Sequence, residues 1–477
     1  MNNTIVLIQP HCSFAVNESP FYELFDSIGL LSIQKFLMVN GYDVKYFHIP
    51  KLRMLNYKKE DIFNLLKKHE PIVFGIGLMW LHQSLGAIEI CQMIKEINEK
   101  NIIVVGGQQA SLFHKDIMEK YSHLIDCVVL GEGEYTFLEI IKSIENLGSI
   151  EHSIEGICTY NNNEIGVTTR CANNNIKDLP YIDDKNIYPK SKLFNYENKI
   201  PRTASLMTVR GNCAFKCNYC LQSSKIDNLR RGVIDFYPID YLIEQIKVFV
   251  KHKKTRISIA DSFLSNKPEN IMLFIELLNK ENIRLEQIHI FCEPGYSDRS
   301  IFKELKKLPS EHIAIDYGIE TGSEKVAKNM GRIDDLDCIM KDIEELGKCG
   351  FISTSWWLFN LPGETMNDIN QTKSMIKYTI SNNVYVERIS PLILFPNTEL
   401  YKNSNHFGIK PAFHCFDDFM RFSLQERRED GIYPDLITHT SEHFNLDKLI
   451  KIQNDLFAFI NHHQTGKPIQ LKPNNIF

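Results

Sequence analysis

The chain has 477 residues, of which 43% are hydrophobic and 24% charged, ordinary values for a soluble globular protein. Its net charge of −5 gives no reason to expect a nucleic-acid partner, and its length suggests about three domains. No N-terminal apolar signal and no apolar run long enough to span a bilayer stands out, so the expected location is cytoplasmic, with no membrane association.

In chain order, residues 1–150 alternate short apolar runs with helical patterns. Ile5–Ile8, Val44–Phe47, Pro71–Gly77, Ile102–Val105 and Cys127–Leu130 read as buried strands. Apolar spacing predicts helices over Ser27–Leu37, Ser84–Lys100 and from Glu134 onward. This alternation predicts a doubly wound, Rossmann-like parallel sheet. Glycines close several strands: Gly75, Gly77, Gly106, Gly107, Gly131 and Gly133. Such sheets bind ligands at those strand ends, and glycine lets backbone approach a bulky ligand. Tight strand-to-helix turns also need glycine, so each position has a structural alternative. Residues 151–200 read as a connector, with turn chemistry at Asn161–Asn163 and Asn173–Asn175 and a possible hairpin of Gly156–Tyr160 with Ile165–Thr169.

Residues 201–400 begin with a strand, Ser205–Val209, and then Arg210–Gln222. That run places Cys213, Cys217 and Cys220 in a Cys-x3-Cys-x2-Cys array. Thiolates at this spacing can wrap one soft metal centre, and three cysteines on a four-iron cluster leave one iron open. A structural zinc site would want a fourth ligand close by, and ordinary thiols are the other alternative. The remaining cysteines of the twelve are scattered singly. Cys91, Cys127, Cys292 and Cys349 read as small core residues in a reducing compartment. Further strands are expected at Ile257–Ala260, Ile288–Phe291, Ile313–Tyr317, Ser353–Leu358 and Tyr385–Ile389. Six strands with helices between them fit a partial (β/α)6 barrel with its chemistry at the carboxyl face.

The three-cysteine array resembles the signature of the radical S-adenosylmethionine (SAM) enzymes. The resemblance implies a [4Fe-4S] cluster that reduces SAM to a 5′-deoxyadenosyl radical, with Tyr219 near the adenine. Asp261 would accept from the methionine ammonium, or serve as a helix N-cap. Glu320, in Tyr317–Ser323, resembles the family's ribose-contacting motif; a turn salt bridge is the alternative. Phe359–Thr365 resembles the family's Gly-x-Pro-Gly-Glu turn, with Asn360 in place of the glycine. Residues 1–145 are similar to the cobalamin-binding domain fused to many radical SAM enzymes. They lack the Asp-x-His-x-x-Gly loop, and His11, His48, His82 and His114 do not replace it. Cobalamin without histidine ligation is therefore expected, or else a domain that keeps the fold alone.

Residues 401–477 form an expected C-terminal region with an amphipathic helix over Leu446–Ile460, which could shape the substrate pocket. His462 and His463 point apart on a helix and read as surface residues. Taken together, the resemblance implies a cobalamin-dependent methyltransferase acting on an unactivated carbon of a small molecule or peptide. A flavodoxin- or ferredoxin-type donor would supply the electron. Non-methylating cyclisation, ring contraction or rearrangement on the same scaffold is the alternative; a non-catalytic sensor and a tRNA methylthiotransferase are more distant ones.

Overall fold

The structure is a computed structural model. It describes residues 4–16, 25–170, 176–183, 187–188, 203–213, 215–223, 234–259, 261, 263–293, 299–332, 335–424 and 434–464. The turn expected at Asn173–Asn175 lies outside the described residues. Two compact units emerge. One holds the described residues up to 188 together with 415–424, and the other those from 203 to 414 together with 434–464.

The first unit is built on eight strands: β1 (Thr4–Gln9), β2 (Asp43–His48), β3 (Val73–Gly77), β4 (Ile103–Gly106), β5 (Cys127–Val129), β6 (Ile157–Asn161), β7 (Glu164–Val167) and β8 (Ile187–Tyr188). Their order is β7-β6-β5-β4-β3-β1-β2-β8. Strands β2, β1, β3, β4 and β5 run parallel, and β6 and β7 pair antiparallel at one edge as the expected hairpin. The parallel strands are apolar throughout because both faces are covered; Ile5, Val6, Leu7 and Ile8 are all fully buried. Helices Ile28–Val39 and Glu134–Leu147 supply Leu30, Phe36, Phe137 and Ile141 to the core on one face. The short helix Phe416–Met420 also belongs to this unit. Its Phe416 and Phe419 pack on Phe113, and Asp417 pairs with Lys120 at 2.7 Å. Part of the expected C-terminal region is thus built into the first unit.

The second unit contains β9 (Thr203–Ser205), a two-stranded ladder of β10 (Val209–Arg210) and β11 (Asp235–Phe236), then β12 (Arg256–Ile259), β13 (Leu285–Cys292), β14 (Ser310–Glu320), β15 (Ile352–Phe359) and β16 (Val384–Pro391). The large sheet runs β16-β15-β14-β13-β12-β9, all parallel and in consecutive order, the topology of a six-stranded half-barrel. Strands β17 (Ile409–Pro411) and β18 (His439–Ser441) pair separately. The terminal helix Leu446–His463 follows, as its apolar spacing predicts. One expectation shifts: the strand placed at Ser205–Val209 leaves the sheet at Ser205. The Asp261 carboxylate captures the Thr208 and Val209 amides and diverts the chain into the separate ladder.

Candidate active site

The loop carrying the three thiols leaves β10 through Gly211, whose φ of +85° suits glycine. Asn218 anchors it. Its side chain donates to the Asn329 carbonyl at 2.6 Å, its amide donates to the Met330 carbonyl at 3.0 Å, and its own carbonyl accepts from Leu400 at 2.8 Å. Gly331, at φ +73°, permits this approach, since a β-carbon there would lie 3.0 Å from the Lys216 carbonyl oxygen. Cys213, Cys217 and Cys220 are reduced and half-buried. Among the described residues no three His, Cys, Asp or Glu side chains gather around a point that could hold one ion. Three half-buried soft donors on one loop could hold an iron–sulfur cluster.

The residues expected on the adenosyl side, Tyr219 and Glu320, meet the same loop. Tyr219 packs against the cluster formed by Val326, Met330, Leu361, Leu392 and Leu394. Burial, and then the nearby Glu320 charge, hold its phenol well above its usual pKa. Glu320 ends β14 beyond a bulge at Gly318, and its φ is +70°. A non-glycine residue there costs about 1–3 kcal/mol, and such strain clusters at ligand sites. Arg332 stands 3.9 Å from the Glu320 carboxylate and donates to the Gly318 carbonyl at 3.0 Å. Tyr219, Glu320 and the cluster thiols are therefore neighbours. Arg332 joins them unpredicted; its only sequence signal is an arginine soon after the ribose-type motif.

Asp261 departs from its expected role. Its oxygens accept from the Thr208 amide at 2.6 Å, the Thr208 hydroxyl and the Val209 amide at 3.3 Å. Burial raises its pKa to about 6 against those bonds. The carboxylate staples the segment that enters the loop of the three thiols. Asn360 resolves the other departure from the family pattern. It holds the φ of +60° that glycine would supply, and its amide nitrogen donates to the His439 carbonyl at 3.0 Å. The neighbouring Glu364 is fully buried and raised to about 8, first by desolvation, with one oxygen accepting from the Leu361 amide.

In the first unit, packing within the chain explains most of the glycines. A β-carbon at Gly75 would strike Leu7 and Phe137, at Gly77 Leu30, and at Gly133 Ile33, all within 3.0 Å. Gly107, at φ +117°, would bring one within 2.5 Å of the Leu78 carbonyl oxygen. Gly131 takes φ +71° and its amide donates to Ser111. Gly106 has ordinary room, with Val129 at 3.6 Å. The ligand-approach reading is therefore corrected for Gly75, which lies inside the core. His11, His48 and His82 are each held near 3, chiefly by burial, and are neutral. The His11 ring meets Arg53 at 3.0 Å and His48 caps Lys51.

Family models match two stretches of the chain: a B12 binding domain over residues 20–141 and the Radical SAM superfamily over 207–376. An uncharacterized methyltransferase of Pyrococcus horikoshii is 23% identical over 72% of this chain and 71% of its own length. A putative methylthiotransferase of Methanocaldococcus jannaschii is 23% identical over 70% of each chain. The fold is similar to that of the radical SAM methyltransferase TsrM from Kitasatospora setae, solved with cobalamin and a [4Fe-4S] cluster. The TM-score is 0.72 at 14% identity, covering 98% of this chain and 90% of that one. The chain is a radical S-adenosylmethionine enzyme with an N-terminal B12-binding domain.

Proposed function

We propose that this enzyme transfers a methyl group to a small-molecule or peptide substrate. A [4Fe-4S] cluster, SAM and cobalamin supply the radical and methyl chemistry when bound. One observation carries the reading: three thiols, Tyr219 and the strained Glu320 converge at the carboxyl end of a parallel half-barrel, in a chain whose B12-binding domain comes first. Cys213, Cys217 and Cys220 hold the cluster, Tyr219 faces the adenine and Glu320 accepts from the ribose hydroxyls. Asp261 positions the cluster loop from behind. Gly106 is the strand-end glycine with room for a corrin to approach, and no histidine ligates the cobalt. A flavodoxin- or ferredoxin-type protein delivers the electron in the cytoplasm. No nucleic-acid partner is proposed for a chain of net charge −5. Among the described residues no helix is long and apolar enough to cross a membrane.

The Methanocaldococcus relative's name keeps methylthiolation as a second reading. That chemistry usually brings a further set of clustered cysteines, and this sequence has one such array. Anaerobic reconstitution with product analysis separates methyl transfer from the non-methylating alternative, and the mass added to the substrate, a methyl or a methylthio group, separates it from methylthiolation. S-adenosylhomocysteine beside 5′-deoxyadenosine supports methyl transfer, and 5′-deoxyadenosine alone supports the non-methylating alternative.

A further inference from the structure

The strands of the half-barrel have two unlike faces. Ile257, Ile259, Ile288, Ile290 and Cys292 are fully buried on one. The alternating positions Ser258, His289, Phe291 and Trp356 are only half-buried on the other. Alternation along a strand puts i and i+2 on the same side, so these residues share one face. Asp316 and Gly318 follow the same alternation on β14, which a bulge then interrupts before Glu320. A β-carbon at Gly318 would lie 3.2 Å from Phe291 and 3.5 Å from the Glu320 carboxylate, which puts all three on the open face.

That face carries polar groups that the cluster and adenosyl site do not use. His289 Nε2 and Asp316 Oδ2 are 2.9 Å apart. His289 Nδ1 lies 3.1 Å from the Ser258 hydroxyl, and Thr354 donates to the other Asp316 oxygen. Burial opposes both charges, but the pair prevails: the His289 pKa is raised and that of Asp316 lowered. This is an ion pair held by partners on four strands. Beside it stands Glu387 on β16, exposed to solvent. Desolvation, and then the Asp316 charge, raise its carboxyl to about 7. No hydrogen bond to another described residue ties Glu387 down. Phe291 and Trp356 meet edge to face at 6.4 Å, and the Arg388 guanidinium lies 5.9 Å from the Trp356 ring centre. The face thus offers an aromatic wall, a saturated ion pair and one carboxyl with capacity to accept.

Resting on the reading above, we infer that this face binds the methyl acceptor, and that the acceptor has a flat unsaturated portion and a nitrogen that donates a hydrogen bond. The flat portion lies against Phe291 and Trp356. The N–H or ammonium meets Glu387, and the His289–Asp316 pair fixes the floor beneath it. Four residues of strand separate Asp316 from Glu320, about 13 Å. That span holds a small molecule between the pair and the adenosine end. His289 and Asp316 are positioning residues; Glu387 touches the substrate.

Reconstituted full-length protein is titrated calorimetrically with three probes: phenethylamine, 2-cyclohexylethylamine and 3-phenylpropionate. They differ in flatness or in charge and little in size. The expected order places phenethylamine tightest. Glu387→Gln weakens it about tenfold, the loss of one charge-assisted bond, and leaves 3-phenylpropionate no weaker. Glu387→Asp restores part of the loss. Trp356→Leu removes the preference for the flat amine over the cyclohexyl one. Iron content checks that each variant has folded. Equal binding of all three probes, or Glu387→Gln leaving phenethylamine unchanged, overturns the inference. Probe selectivity with no S-adenosylhomocysteine formed would instead sink the methyltransferase reading and leave this site standing.

Discussion

The two sheets use their strand ends differently. In the first unit the conspicuous glycines are mostly needed by the chain itself: Gly75 sits in the core and Gly107 passes a neighbouring carbonyl. In the second unit the conspicuous residues are held at some cost. Glu320 occupies a conformation usual for glycine, and an ion pair is maintained on a half-buried face. Glycine at a strand end therefore says little about a ligand until its surroundings are known. A strained or desolvated polar group points to one more directly.

The largest expected effect tests the second unit. Replacing Cys213, Cys217 and Cys220 together with Ala should abolish the brown chromophore and all SAM cleavage, read by iron analysis and 5′-deoxyadenosine assay. A triple variant that keeps both would remove the cluster assignment. Next is Glu320→Ala. Losing a charged partner costs about 1.5–3 kcal/mol, so SAM affinity should fall by roughly one to two decades with the cluster intact. Calorimetry showing unchanged affinity would make Glu320 a purely structural residue.

Asp261→Asn sharpens the comparison within the second unit. As a staple of Thr208 and Val209, Asp261 should affect loading of the loop: iron occupancy should fall while SAM affinity per loaded chain stays level. The reverse pattern would restore the ammonium role.

A pair of substitutions tests the first unit. Gly107→Ala meets the Leu78 carbonyl at a positive φ and should destabilise that unit by more than about 1 kcal/mol. Gly106→Ala has room and should keep the fold. If the corrin passes this strand end, Gly106→Ala weakens cobalamin binding without lowering the thermal midpoint. Unaltered binding would place the corrin elsewhere.

The smallest effect is a slope. Glu364 titrates near 8 in the fold and near the ordinary carboxyl value when unfolded. Across that window the folded chain holds the extra proton, so stability is greatest at the acid end and declines as pH rises toward 8. Glu364→Gln should flatten the decline in thermal midpoint between about pH 5 and 8. An unchanged slope would assign it to other groups.

Much of this was legible in the sequence. Buried parallel strands have apolar runs and the half-barrel repeats strand and helix, so both sheets could be read, and the cysteine spacing marked its loop. Asp261 misled because its partners, Thr208 and Val209, lie fifty residues away and their backbone donors leave no trace in composition. Arg332 was missed for a similar reason, since its neighbour Glu320 becomes one only through the bulge in β14. His289 and Asp316 did leave a signal: each interrupts an apolar strand at a position whose neighbours face the helices. Read by alternation, Ile288-His289-Ile290 and Ile315-Asp316-Tyr317 already put a polar residue on the open face.

The most direct test of the central claim is quantification of both SAM-derived products. The anaerobically reconstituted enzyme is loaded with cobalamin and given a low-potential reductant such as titanium(III) citrate. Wild type should form S-adenosylhomocysteine as well as 5′-deoxyadenosine, and the triple cysteine variant should form no 5′-deoxyadenosine. 5′-Deoxyadenosine without S-adenosylhomocysteine, under conditions where cobalamin is bound, would contradict methyl transfer.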